Sequence, residues 1–394
     1  MSDFNQSDFK RNTMKGLKSI GKHNTVIHCH HYNARLQRTL ESNALIDGKL
    51  ILRSSAAKTY YKILTNLIDQ SNKPRTFEMA ADLYRFLGFG ILDFSKASES
   101  IVSASHSHYV QGWNCGSIKM NGTVCRPTEG FIEAAYKAIK GEDVKVQETT
   151  CMNQNGEHQC SFNVTKLAEA QYDFSKGKSH SFDTPKASNQ AEAQSNIKKE
   201  LIIETVMGMP LEGNNEGLIP AFNVYLAHTP QDFYNEVSIR FIDEMSANGL
   251  DDLATEMLVE DAENCALNTF GGILGSDEWS ALIQPMIKEE RDRIFGLIAV
   301  ANALGWGRIA VLEHTAAKSL LLTSQNGYEA YGYIEDKGKS EVSNCHMLRG
   351  ISSGLMGLVY EQGEIADRCG VYKSIEKSCL TKGDHCCEFH VCSK

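Results

Sequence analysis

In the second half of the chain, apolar residues recur at three- and four-residue spacing over Pro230–Ser246, Leu250–Gly275 and Asp277–Leu304, which predicts three helices. Gly305 and Gly307 end that pattern, and apolar and polar residues then alternate through Tyr333, as strands with one buried face require. Helix is predicted again at Cys345–Tyr360, followed by two closing strands that carry the last cysteines. The first half repeats the order of helices, a strand-rich section, a helix and two closing strands. The fold class that follows is α+β, with helices packed on antiparallel sheet. Two stretches lack such patterning: residues 1–21, read as a flexible N-terminus, and 166–214, read as a linker because Gln171–Glu200 is rich in Ser, Lys, Gln, Asn and Ala.

The shared order reflects an internal repeat. Glu148-Thr-Thr-Cys151 followed by Gly156-Glu157-His158-Gln159-Cys160-Ser161-Phe162-Asn163-Val164 matches Glu376-Lys-Ser-Cys379 followed by Gly383-Asp384-His385-Cys386-Cys387-Glu388-Phe389-His390-Val391. Upstream, Cys125 precedes Gly130 by the same five residues that separate Cys345 from Gly350, and Leu87-Gly88-Phe89-Gly90 matches Leu304-Gly305-Trp306-Gly307. Offsets grow from 217 at the Leu-Gly pair to 220 at the first cysteine and 227 at the last, so loops changed length while ordered pieces kept step. The repeat places one domain at 22–165 and a second at 215–394, an arrangement expected to dock as an intramolecular pseudo-dimer.

Composition narrows the function classes. With 42% hydrophobic residues the chain can bury ordinary cores, and a net charge of -9 leaves no general phosphate-neutralising surface, so nucleic acid and anionic membrane are excluded as default partners. No stretch reaches the roughly 18 apolar residues of a membrane span, and Met1–Ile20 lacks the apolar core of a signal peptide, so a cytoplasmic location is expected. There, twelve cysteines point to metal ligands, catalytic groups or buried apolar residues rather than to a disulfide framework.

The repeat separates these cysteines. Cys379 and Cys387 flank a turn at Gly383-Asp384, so a hairpin brings their sulfurs together; Cys151 and Cys160 do likewise. A third thiolate from Cys345 or Cys125 and a carboxylate from Glu376 or Glu148 would complete the four ligands of a closed zinc site. The glutamate stands three residues before its cysteine, an offset that puts the two on opposite strand faces unless a bulge or turn intervenes. Cys369 and Asp367 are alternative fourth ligands in the second copy. The competing reading is that these cysteines are buried small hydrophobes. Cys29, Cys115, Cys265 and Cys392 have no counterpart in the repeat and are read as structural or incidental, and Cys386 should face away from Cys387.

The pattern of Cys, a glycine-bearing helix, E-x-x-C and G-[DE]-x-x-C-x-F-x-V resembles the 4-vinyl reductase, or hydrocarbon-binding, domain, also seen in the sensory regions of aromatic-responsive transcription activators. Asn344-Cys345-His346-Met347-Leu348-Arg349-Gly350-Ile351-Ser352-Ser353-Gly354 carries the resemblance most closely. It implies a fold shared with TRAPP-type trafficking subunits and haem-type nitric-oxide-signalling sensors, dimerisation, an apolar cavity beneath the sheet, and zinc held by Cys345, Glu376, Cys379 and Cys387 and by Cys125, Glu148, Cys151 and Cys160. No helix-turn-helix, ATPase or kinase signature accompanies the domains here.

The first copy alone carries His28-Cys29-His30-His31-Tyr32 and His106-Ser107-His108-Tyr109. In strands, His28 with His30 and His106 with His108 would each present two imidazoles on one face, able to bind iron or another first-row metal or to supply acid and base, with Glu78 as a carboxylate partner. Phosphate loops, nucleophile elbows and H-E-x-x-H helices are missing from the sequence. Two functions follow. One is a binding protein for an apolar or tetrapyrrole-like ligand with structural zinc, acting as a carrier or on a protein partner, with homodimerisation open. The alternative is a metal- or cofactor-dependent enzyme, iron or haem included, whose active site uses the first-copy histidines while the second copy serves as scaffold.

Overall fold

The computed structural model describes residues 4–70, 72–115, 120, 122–154, 156–174 and 191–394. The first copy runs β1 (Lys10–Asn12), β2 (Leu17–Ile20), β3 (His23–Cys29), α1 (His30–Glu41), α2 (Gly48–Gln70), α3 (Phe77–Phe86), β4 (Gly90–Asp93), β5 (Ile101–Ser107), α4 (His108–Cys115), α5 (Arg126–Lys140), β6 (Val144–Thr150) and β7 (Cys160–Lys166). After α6 (Lys199–Gly208) the second copy runs β8 (Ile219–Ala221), β9 (Val224–Pro230), α7 (Gln231–Ser246), α8 (Asp251–Cys265), α9 (Gly271–Leu274), α10 (Asp277–Leu282), α11 (Asp292–Ala303), β10 (Ile309–Thr315), β11 (Ser319–Ser324), α12 (Tyr328–Lys337), α13 (His346–Tyr360), α14 (Ile365–Arg368), β12 (Tyr372–Ser378) and β13 (Cys387–Ser393).

All sheet pairings are antiparallel. Two four-stranded sheets share one topology, β4-β5-β7-β6 and β10-β11-β13-β12. On each, a long glycine-bearing helix lies against a second one, α5 on α2 and α13 on α8. The approach is close because of equivalent glycines: a Cβ at Gly130 would stand 2.1 Å from the Arg53 carbonyl oxygen, and one at Gly350 would stand 2.2 Å from that of Val259. Either clash would push the helices apart.

A third sheet, β1-β2-β3-β9-β8, joins the copies. Ile27 pairs with His228 at its centre. The contacts around that pair are reciprocal: the Ile27 amide donates to the Leu304 carbonyl and the His228 amide to the Leu87 carbonyl, both at 2.8 Å. Helix α1 packs on α8 while α7 packs on α2. These contacts recur in both directions between the copies, and the two Leu-Gly-aromatic-Gly motifs sit at the junction.

Several expectations are corrected. Residues 4–21 are not a loose tail, since β1 and β2 extend the shared sheet and Phe4 and Phe9 are buried. Of the expected linker 166–214, residues 175–190 lie outside the described residues, but α6 packs on α11 and buries Ile202, Ile203, Val206 and Met207. Asp277–Leu304 is broken into α10 and α11 with a 3₁₀ turn at Gln284–Met286, because Pro285 cannot sit inside a helix. Tyr109 and Tyr328 belong to helices α4 and α12 rather than strands. Among the described residues no helix is long and apolar enough to cross a membrane.

Candidate metal centres

Strand β12 alternates buried and exposed residues, with Tyr372, Ser374 and Glu376 inward. Its register against β13 then shifts, Glu376 opposing Phe389 and Ser378 opposing Glu388, so Lys377 is an extra residue. This bulge turns Cys379 back to the side of Glu376. Strand β6 does the same, with a shift between Glu148 and Thr150 before Cys151. The partner strands β13 and β7 begin at Cys387 and Cys160, and Cys345 and Cys125 stand at the N-caps of α13 and α5.

The result is two buried groups of four, Cys125, Glu148, Cys151 and Cys160, and Cys345, Glu376, Cys379 and Cys387, whose ligand atoms all lie within 4.8 Å of one another. In the second, the Sγ separations are 4.0 Å for Cys345–Cys379, 3.5 Å for Cys345–Cys387 and 3.9 Å for Cys379–Cys387. In the first, Cys125–Cys160 is 3.8 Å and Cys151–Cys160 is 3.7 Å. Tetrahedral bonds of about 2.3 Å to a common ion require sulfurs about 3.8 Å apart.

The carboxylates carry a second signature. Glu148 Oε2 accepts the Cys125 amide at 2.8 Å and Glu376 Oε2 accepts the Cys345 amide at 3.1 Å, which orients each side chain. The other oxygen, Oε1 in both, is buried without a hydrogen-bond partner. An orphaned carboxylate oxygen facing three thiols is costly unless a cation meets it. Burial, then repulsion from Cys379, raises Glu376 to about 9, and burial with Cys151 raises Glu148 to about 8. Cys151 is held down to about 2 by hydrogen bonds from the Cys125 and Cys160 thiols, while Cys125 is driven up, chiefly by burial. Cys379 is likewise held low by Cys345 and Cys387. Backbone amides of Met152 and Leu380 donate to Cys160 and Cys387 at 3.5 and 3.4 Å. Both clusters could hold a metal ion, and their donor sets suit a soft or borderline one.

The alternative ligands fall outside. Cys369 is half-buried and accepts from Asn264, and Asp367 caps the Glu364 amide. Cys386 is half-buried while Cys387 is fully buried. Cys29 and Cys265 both contact the Thr269 hydroxyl.

The first-copy histidines do not form strand pairs, because β3 ends at Cys29 and β5 at Ser107, so His30 and His108 open helices α1 and α4. His28 is fully buried, its ring 4.5, 4.6 and 4.8 Å from those of Tyr32, Tyr234 and Trp306, and neither ring nitrogen has a hydrogen-bond partner. Rings at contact distance leave no room there for a haem. His30 Nδ1 lies 3.1 Å from the Tyr225 amide nitrogen, and His108 Nε2 lies 2.9 Å from Asn33 Nδ2. Burial lowers His28, His30 and His108 to about 3 and also lowers His31. His106 is half-buried beside Glu216, and Glu78 is exposed on the first turn of α3. Among the described residues, only the two Cys/Glu groups gather three or more potential ligands.

No protein family and no curated protein matches this sequence. Solved structures do match. One is the phenol-responsive sensory domain of the transcription activator PoxR with phenol, at 10% identity and a TM-score of 0.38, covering 50% of this chain and 90% of that one.

Proposed function

We propose that the chain is a tandem of two 4-vinyl-reductase-like domains, 22–165 and 215–394, docked as an intramolecular pseudo-dimer, and that it binds a small apolar molecule while each domain is held together by zinc. The observation that carries this reading is the twin construction of the clusters: in both copies a strand bulge, a helix N-cap and a hairpin bring three sulfurs and an orphaned carboxylate oxygen to one point. Cys125, Glu148, Cys151 and Cys160 would hold one ion, and Cys345, Glu376, Cys379 and Cys387 the other. Burial of all eight residues supports a closed, structural role, with no position left for substrate. Zinc there would tie the closing hairpin to the helix start and so stabilise the sheet that the helices cover. The shared central sheet and the reciprocal contacts of Ile27 and His228 support the pseudo-dimer.

The enzyme alternative needs its histidines to act on a ligand. Three of them are instead neutral groups buried within the junction, which supports binding over catalysis. The test is elemental analysis and native mass spectrometry of the full chain. Two zinc ions per chain with a copurifying neutral small molecule are expected; a folded chain free of metal would overturn the zinc assignment, and failure of any small molecule to bind would overturn the ligand reading.

A further inference from the structure

Helix α11 is apolar almost all round, and its outer side is covered by the stretch that joins the copies. Residues 192–199 cross it: the Ala193 amide donates to the Val311 carbonyl at 2.8 Å, Asn196 Nδ2 donates to Asp292 at 2.9 Å, and Lys199 Nζ reaches both oxygens of Glu192 at 2.9 Å and the Ile309 carbonyl at 3.0 Å. Beneath this strap lies a cavity of about 210 Å³, with Ile197, Phe295, Ile298 and Val311 as its apolar walls.

The equivalent region of the first copy is filled differently, as the repeat shows. At the offset of the Leu-Gly motifs, Val311 corresponds to Phe94, Ile298 to Ala81 and Phe295 to Glu78. Phe94 stacks on Phe77 with centroids 4.8 Å apart, and Phe77 meets Tyr136 at 4.9 Å, so rings occupy the region between helix and sheet. Glu78 is exposed, whereas its counterpart Phe295 is 7% exposed under the strap. The second copy has exchanged a ring on the sheet for a smaller side chain and made the outer helix face apolar. The strap then covers one side of the vacated volume, which stays partly open to solvent.

We infer that this cavity is a ligand site for a small, uncharged, largely apolar molecule of single-ring size; the inference rests on the small-molecule reading above and assigns it to the second copy. The volume falls below the roughly 300 Å³ at which drug-sized pockets begin. The charged groups on its rim, Glu192 and Lys199, neutralise each other, so an ionised ligand would find no free counter-charge. Ser195 Oγ accepts the Ile197 amide at 3.2 Å, which leaves its hydroxyl proton for one polar atom of the ligand.

The experiment is methyl NMR of the full chain titrated with toluene, p-cresol and benzoate, comparing the natural protein with Val311→Phe, which sets a ring where the first copy has Phe94, and Ile298→Phe, which fills the cavity from the helix side. Saturable shifts at the Ile298 and Val311 methyls with toluene or p-cresol, none with benzoate, and at least a tenfold loss of affinity in a variant that keeps both metal ions would support the site. No saturable shift with either neutral probe would overturn it. So would undiminished binding in both folded variants, which leaves the small-molecule reading standing and moves the ligand elsewhere; if one variant fails to fold, the other decides.

Discussion

Glu376 and Cys379 stand three residues apart on one chain, yet their ligand atoms approach within 4.8 Å because a bulge at Lys377 reverses the strand alternation between them. Deleting Lys377 would restore regular pairing and send the Cys379 sulfur to the opposite face. The expected outcome is loss of one of two metal ions per chain, read by elemental analysis, with the first-copy site retained.

Single-ligand replacement should act on stability. Cys379→Ser and Cys160→Ser are each expected to remove one metal ion and cost more than about 3 kcal/mol, since either leaves buried charge without its counterpart. Denaturant unfolding checks this. A chelator should lower the midpoint of the natural protein far more than that of the double variant.

The two Cys/Glu groups were legible because a duplicated sequence serves as its own alignment: three cysteines and a glutamate recur in step, and the odd Glu-to-Cys offset called for a bulge or turn, which β6 and β12 supply as a bulge. The histidines misled because i, i+2 spacing presents one face only while a strand continues. Cys29 ends β3 and its sulfur accepts the Tyr32 amide at the start of α1, a switch from strand to helix that spacing does not encode. The junction was hidden for a related reason. Ile27 and His228 occupy equivalent places in β3 and β9, but one is apolar and the other polar, so the repeat faded there. Helix α6 escaped because its apolar residues follow a long polar run.

The helix approach at Gly350 gives a prediction about packing. Gly350→Ala would set a methyl 2.2 Å from the Val259 carbonyl oxygen and is expected to destabilise by about 1–3 kcal/mol or more. Gly208→Ala, where a Cβ meets nothing within 4 Å, is expected to stabilise by about 0.5–1 kcal/mol. Parallel thermal melts separate the two.

Buried histidines set an acid limit. His28, His30, His108 and His228 are each lowered by burial from an ordinary 6.5 to about 3, so the unfolded chain binds more protons between those values. Their contribution is therefore complete above about pH 6.5 and is lost progressively as pH falls toward 3. His28→Phe, which removes two unpartnered ring nitrogens from an aromatic setting, is expected to change stability at pH 7 by less than about 1.5 kcal/mol and to flatten the acid limb. Unfolding curves from pH 7 to 4 for both proteins test this.

In the proposed structure each copy closes around a structural zinc bound by three sulfurs and one carboxylate oxygen. X-ray absorption at the zinc edge of the full-length protein tests it directly. Two zinc ions per chain are expected, with an average first shell of three sulfurs at about 2.3 Å and one oxygen at about 2.0–2.2 Å. A folded protein without zinc, or a first shell dominated by nitrogen and oxygen, would contradict it.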